Sequence, residues 1–267
     1  MTWRNSIVIV IDNKVPILKR GNIIDSSILN KIQDSPYEYL QLHYPNHCNG
    51  VLCGVNIFAR DYQLIIGKGI IKWDNFYYKI TEEISVDIPY EDGDYIFKIR
   101  FLPSKSIETE KYTLYQMEVI HTFDEGRVEN EMEIMRIKRR EGAIIRNVEK
   151  FAGINEEYNL INEITKPQST STGKSFPDTL LKLFAQEILE KKEYDIFDGI
   201  FCHSILNTSI TRESLRQYIR YQLRKDIDIE KGNNYIYEQL VKIIKSMRNA
   251  YYREEERIKE NNILIVE

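Results

Sequence analysis

Cysteine is scarce in this chain of 267 residues; there are three. An odd, small number in a long chain excludes a disulfide-built scaffold. Only four histidines are present, and no G-x-S-x-G elbow occurs, so the usual parts of an acyl-transfer site are missing. There is no basic excess: 37 Lys and Arg stand against 41 Asp and Glu, a net charge of −4. That excludes a general nucleic-acid binder, which carries a basic stripe. No apolar run approaches the roughly 18 residues of a membrane span. The opening MTWRNSIVIVID lacks a charged segment leading into a long apolar core and a cleavage site. A cytoplasmic protein with neither nucleic acid nor membrane as partner is expected.

What is present is an ordinary soluble composition, 42% apolar and 29% charged, with room for one large or two medium cores. Tyrosine is abundant, at 18 residues, a side chain suited to strands and interfaces. Ile7–Ile11 and Lys14–Leu18 flank Asp12-Asn13 and predict a hairpin, with Pro16 restricting the second run to an edge. Asp25 or Ser26 caps a short helix to Gln33. The following SPYEYLQLHYPNHCNG reads as irregular and aromatic.

From Asn49 to Phe101 apolar residues alternate, the mark of strands with one buried face. Val51, Cys53, Val55, Ile57 and Ala59 share one face, with Cys53 a small buried hydrophobe. Phe76, Tyr78 and Ile80 form a second set, Ile84, Val86 and Ile88 a third, and Tyr95, Phe97, Ile99 and Phe101 a fourth. Asp74-Asn75 and Glu91-Asp92-Gly93 are turn chemistry. Gly67 and Gly69 inside a strand pattern predict a bulge or the close approach of another backbone. Tyr112–Thr122 is a further strand, with shorter ones over Glu131–Lys138 and Ala143–Arg146. Thr165–Ser175, TKPQSTSTGKS, has the composition of a linker. Beyond Pro177 the apolar period becomes helical: Leu181, Phe184, Ile188 and Leu189; Phe197, Ile200 and Phe201; Leu215, Tyr218, Ile219 and Leu223, capped by Thr211; then a long helix from Asn234 to about Lys259. The closing ILIVE reads as an edge strand.

The expected fold is therefore α+β: a β-sandwich or barrel-like N-terminal half followed by a small helical C-terminal bundle. Its expected parts are an arm over 1–48, a β-module over 49–150, a linker over 151–176 and a helical domain over 177–267.

Three constellations bear on chemistry. Ser169–Ser175 ends like a phosphate-binding loop, but position 168 is Gln168 rather than glycine. Moreover, Pro177 falls where the helix should already be running. His43, His47, Cys48 and Cys53, with Cys202-His203 elsewhere, have zinc-ligand chemistry without the spacing of a zinc knuckle. Acidic residues are many, but periodicity places no pair of them in an apolar pocket. The expectation is no enzyme, no cofactor, no metal and no catalytic residue. Among the aromatics, Trp73, Tyr77 and Tyr78 are the candidate interface residues.

NGVLCGVNIFA, QLIIGKGIIKWDNFYYKI, ISVDIP and DGDYIFKIRF follow one another in an order that resembles the N-terminal β-module of phage tail-fibre and baseplate proteins, including those of contractile tails and tail-like bacteriocins. EMEIMRIKRREGAII resembles that family's closing segment. The resemblance covers about residues 49–146, and Cys53 stands where the family usually has Gly or Ser. It implies a structural component of a baseplate or a fibre-anchoring adaptor, oligomeric, in contact with other baseplate or tail proteins and a tail fibre, made in the bacterial cytoplasm and assembled into the particle. The family lends no catalytic residues. Two other readings are kept: a carbohydrate- or protein-binding module of a receptor-binding apparatus and, least favoured, a P-loop nucleotide-binding enzyme.

Overall fold

The computed structural model describes residues 24–261 apart from 61, 75, 109–112, 124–125, 127, 156 and 192–193, with side chains left out over 103–114 and 248–261. The expected hairpin over 7–18 and the closing ILIVE lie outside these residues. The chain forms two compact units, 1–45 and 46–267. The fold is α+β, with sheets in the N-terminal and central regions and helices at the C-terminus.

In the first unit, α1 spans Ser26–His43. Asp25 caps it, accepting the Ile28 N–H at 3.0 Å and the Ser27 hydroxyl at 2.7 Å. Those bonds, the backbone one foremost, hold its carboxyl below the usual carboxylate range. The helix does not stop at Gln33, and its continuation corrects the irregular reading of the residues that follow. It runs through Pro36, whose ring leaves the Ile32 carbonyl without its helical donor. Lys31 and Glu38 pair at 2.8 Å across the proline, and the Tyr44 N–H closes the end on the Leu40 carbonyl at 2.9 Å.

The second unit opens with β1 (Gly50–Gly54), β2 (Ile57–Arg60), β3 (Gln63–Ile66), β4 (Gly69–Trp73), β5 (Phe76–Ile80) and β6 (Ile84–Asp87). β1 pairs antiparallel with β4, and β2 with β3. These four strands are thus one long hairpin, bent so that its base lies in one sheet and its tip in another. The bend falls where Gly54 faces Gly69. Gly54 and Val55 take φ of 68° and 53°, and the Val55 N–H reaches the Lys68 carbonyl at 3.0 Å. A Cβ on Gly69 would lie 2.4 Å from the Cys53 carbonyl oxygen and 2.5 Å from the Val55 nitrogen. The expected close approach of backbones is present at Gly69, and it turns a corner between sheets. A register shift between Val51 and Cys53 breaks the alternation there. Leu52 is consequently buried and Cys53 exposed, which corrects its assignment to the core.

β7 (Gly93–Glu108), β8 (Thr113–Thr122) and β9 (Glu131–Arg139) form a third sheet in the order β8-β7-β9. Inward side chains of all three sheets share one core, among them Val51, Leu64, Ile71, Phe97, Phe101 and Ile134. Ala143–Arg146 is not a strand; Arg146 makes a single bridge to Leu160.

The expected linker is a packed seam. Phe151, Ile154 and Ile164 are buried in the helical core, and Ile161 in the β core. β10 (Gln168–Thr170) runs parallel to β1, and β11 (Gly173–Ser175) pairs back on β10, extending the sheet to β11-β10-β1-β4-β5. The polar side chains that suggested a linker are buried because backbone acceptors meet them. The Ser169 hydroxyl donates to the Cys48 carbonyl at 2.6 Å, that of Thr170 to Gly173 at 2.6 Å, and that of Ser175 to Ile210. Lys166, 1% exposed, pairs with buried Glu163 and donates to the Val55 carbonyl at 3.1 Å.

α2 (Asp178–Leu189), α3 (Ile196–Asn207), α4 (Arg212–Leu223) and α5 (Asn233–Asn261) follow. Thr211 caps α4 as expected, accepting the Ser214 N–H at 3.2 Å. Tyr237 of α5 pins the seam, its hydroxyl accepting the Ile154 N–H at 2.9 Å and donating to the Phe151 carbonyl at 3.1 Å.

Candidate interaction surfaces

The β4–β5 hairpin carries the three candidate interface residues. Its turn is tied down by Asn49, which accepts the Asp74 N–H at 2.9 Å. Successive residues of a strand face opposite sides, so Tyr77 and Tyr78 diverge. Tyr78 lies against Phe101 at 4.8 Å between ring centroids, and Trp73 stacks on the same ring at 4.4 Å. Phe76 joins edge-on to Tyr78 at 5.0 Å and stacks on Tyr115 at 3.9 Å. Tyr77, on the other face, has the Lys72 ammonium 5.9 Å from its ring centre. Both tyrosines are buried, and desolvation raises both phenol pKa values. Their rings pack within the chain, and Trp73 is half-buried with its indole N–H meeting no acceptor among the described residues.

α1 presents a different surface. Ile28, Leu29, Ile32, Tyr39 and Leu40 recur three to four residues apart along one side, opposite Asn30, Asp34, Glu38 and Gln41. This is the pattern of a helix that covers a core, yet none of its residues is buried, and Leu29 is 54% and Tyr39 65% exposed. Tyr39 stacks on His43 at 5.6 Å. A helix ending at Gln33 would carry only the first half of this stripe.

Two of the larger unit's concavities have walls of contrasting character. One, of about 680 Å³, lies between β7, β9, the seam and α5. Its polar groups include Lys138, which donates to the Asn155 carbonyl at 2.7 Å, and Asn162, which donates to the Asn155 side chain at 2.7 Å. Exposed Phe123 forms an aromatic rim, its ring 4.7 Å from that of Tyr95. The other, of about 410 Å³, is aliphatic: Ile84 and Val86 of β6 face Met117 and Val119 of β8. No periodicity signals such clefts, because their walls come from segments far apart in sequence.

The buried charged groups meet hydrogen-bond partners, ionic for some and neutral for others. Glu131 accepts from Arg100 at 2.8 Å and from Lys98 at 3.2 Å. Burial opposes its ionisation, but these hydrogen bonds outweigh burial and hold its carboxyl below the usual carboxylate range. Asp198 accepts from the Tyr218 hydroxyl at 2.7 Å and from Gln222 at 2.6 Å. Desolvation raises the Asp198 pKa and, with that carboxylate beside it, pushes the Cys202 thiol up to about 12.

The motifs weighed for chemistry are dispersed. Gly173, Lys174 and Ser175 form a strand, the Ser175 hydroxyl is engaged by Ile210, and α2 begins only at Asp178. Cys53 is exposed on β1 and Cys202 buried in α3. Among the described residues no three His, Cys, Asp or Glu side chains gather as a metal would need. Nor, among those residues, is any helix long and apolar enough to cross a membrane. The chain matches no family model, no curated protein and no solved structure.

Proposed function

We propose that this chain is a structural component of a phage tail or tail-like particle baseplate. It works through contacts with copies of itself and with other baseplate or tail proteins, and it anchors a tail fibre. The observation that carries the reading is α1, an amphipathic helix of 18 residues with no buried side chain. An amphipathic stripe with no side chain in the buried class is the kind of surface an assembly covers. The bent hairpin with Gly54 against Gly69 supports the reading as well, since it gives a physical role to the segments on which the resemblance to baseplate β-modules rests.

Sedimentation velocity over a hundredfold concentration range tests it. The wild type should associate, and Leu29→Asp with Ile32→Asp should remain monomeric while keeping its helical signal. A wild type that is monomeric throughout would remove the support that α1 provides.

A second reading, an oligosaccharide-binding module, is favoured by the polar cleft with Phe123 at its rim. Aromatic faces and planar amides are what sugar recognition uses. Glycan-array binding lost in Phe123→Ala would support it, and silence of the wild type would set it aside.

A further inference from the structure

The wall of the β-module has an opening between two outer strands. β6 is the outer strand of the sheet β2-β3-β6, and β8 that of the sheet β8-β7-β9. Ile84 and Val86 of β6 and Met117 and Val119 of β8 pack against the same core as the strands behind them, yet all four are half-buried. One strand further in, Leu64 and Ile66 of β3 and Phe97 and Ile99 of β7 are 2% exposed or less. The inner strands have a neighbour on each side and the outer ones on one side only. Between β6 and β8 lies the aliphatic cleft of about 410 Å³, with buried Ile66 and Ile99 at its floor. Alongside, the gap between β5 and β8 is closed by the Phe76 ring, stacked on Tyr115 at 3.9 Å. Where β6 takes over from β5, valines stand in place of rings and the gap stays open.

The backbone on both sides of the cleft is open too. Among the described residues, the outer edges of Ile84–Asp87 and of 115–120 pair with no strand. Neither run contains a lysine or a proline, the residues with which natural edges are commonly blunted. The polar side chains of β6 are engaged away from the cleft. The Ser85 hydroxyl donates to Gln63 at 2.6 Å, and Asp87 accepts from Gln63 at 2.9 Å. On β8, Glu118 is held by Arg100 at 3.0 Å.

We propose that an extended segment of another polypeptide completes this wall, adding to β8 as a further strand and setting β-branched apolar side chains, at alternate positions, between Val119 and Val86. The open edges select an extended backbone. They offer N–H and C=O groups in a row, which a strand satisfies and a helix, its own groups already paired, does not. The aliphatic walls select the side chains. They take apolar groups that recur at every second residue on one face of the added strand, and they present no polar partner that would favour others. A segment of about four to six residues, roughly 14–20 Å long, spans the cleft. This role goes beyond the assembly reading and rests on these two edges and the cleft alone.

The full chain and two fluorescent peptides of one composition test it. Each has about nine residues of valine and threonine between terminal lysines; in one the two alternate, and in the other they stand in two blocks. Fluorescence anisotropy should show the alternating peptide binding at least about tenfold more tightly. Hydrogen exchange followed by NMR should show that this peptide slows the outward amides of residues 115–120, every second one along β8 and those that β7 leaves unpaired. Val86→Lys puts a charge into the cleft without touching β8 and should abolish binding. Val86→Thr, close to valine in shape, should weaken binding about fivefold, which keeps the test decisive if the lysine variant fails to fold. Equal binding of the two peptides, no binding of either, undiminished binding to both variants, or binding that leaves the β8 amides unchanged would overturn the proposal. Protection of those outward amides in the free protein would overturn it by assigning the cleft to a segment of this chain. Self-association that Val86→Lys abolishes would overturn it by assigning the cleft to a second copy.

Discussion

Replacing Gly69 by alanine adds one methyl group at the corner where the long hairpin passes between sheets. The new Cβ would lie 2.4 Å from the Cys53 carbonyl oxygen, 2.5 Å from the Val55 nitrogen and 2.6 Å from Val55 Cγ2. Two of these atoms are backbone, so no side-chain rotation relieves the contact. The strands must separate by roughly 1 Å to reach ordinary contact distance, weakening the pairing of Gly54 with Gly69 and of Cys53 with Ile70. Overpacking costs about 1–3 kcal/mol, and a backbone obstacle places this case at the upper end, about 3 kcal/mol. For a unit of this size that lowers the melting temperature by roughly 6–12 °C. Thermal and urea unfolding followed by circular dichroism measure it. Gly67→Ala is the control. Its Cβ would meet the Asn56 carbonyl oxygen at 3.2 Å and nothing else closer than 3.7 Å, so its loss should be under about 1 kcal/mol. Gly69→Val should impair folding outright. If Gly69→Ala is no more harmful than Gly67→Ala, the corner is not the tight crossing described.

Lys166→Met leaves Glu163 buried without its cation, and stability should fall by about 3–5 kcal/mol. Adding Glu163→Gln should restore most of it, and a harmless single substitution would mean that this segment is a solvated linker after all. Glu131→Gln should cost about 3 kcal/mol near neutral pH, where Lys98 and Arg100 lose their carboxylate. Because the folded-state pKa of Glu131 is lowered, its contribution is present above about pH 4.3 and is lost as pH falls through the folded value. The gap between Glu131→Gln and wild type in urea titrations should therefore narrow on acidification, and a constant gap would contradict the pairing. In the native protein Cys53 should react first with a thiol reagent, and Cys202, buried with its thiol raised to about 12, only after unfolding. Fast native modification of Cys202, located by peptide mapping, would refute its burial.

The elements legible in the sequence are those whose burial follows a simple period. Alternation marked β5, β6 and the first part of β7, and the stripe of Ile236, Leu240, Ile243 and Ile244 marked α5. The Thr211 cap was equally plain. What escaped reading was whatever tertiary contacts decide. Gln168, Ser169 and Thr170 have linker composition and become a buried strand only because β1 and the loop before it supply acceptors and a parallel neighbour. Cys53 left the core through a bulge that alternation does not signal. The candidate surfaces were less legible still. Trp73, Tyr77 and Tyr78 stand out in the sequence as aromatics on a hairpin, but nothing in their spacing signals that Phe101, far along the chain, receives Trp73 and Tyr78.

The central claim, that the chain is a part of a tail or tail-like particle, is tested most directly by quantitative mass spectrometry of such particles purified from the producing cells. The proposed role predicts the chain in intact particles at a fixed ratio to the other tail proteins, retained through a salt wash. Particles that contain a complete baseplate and lack this chain would contradict it.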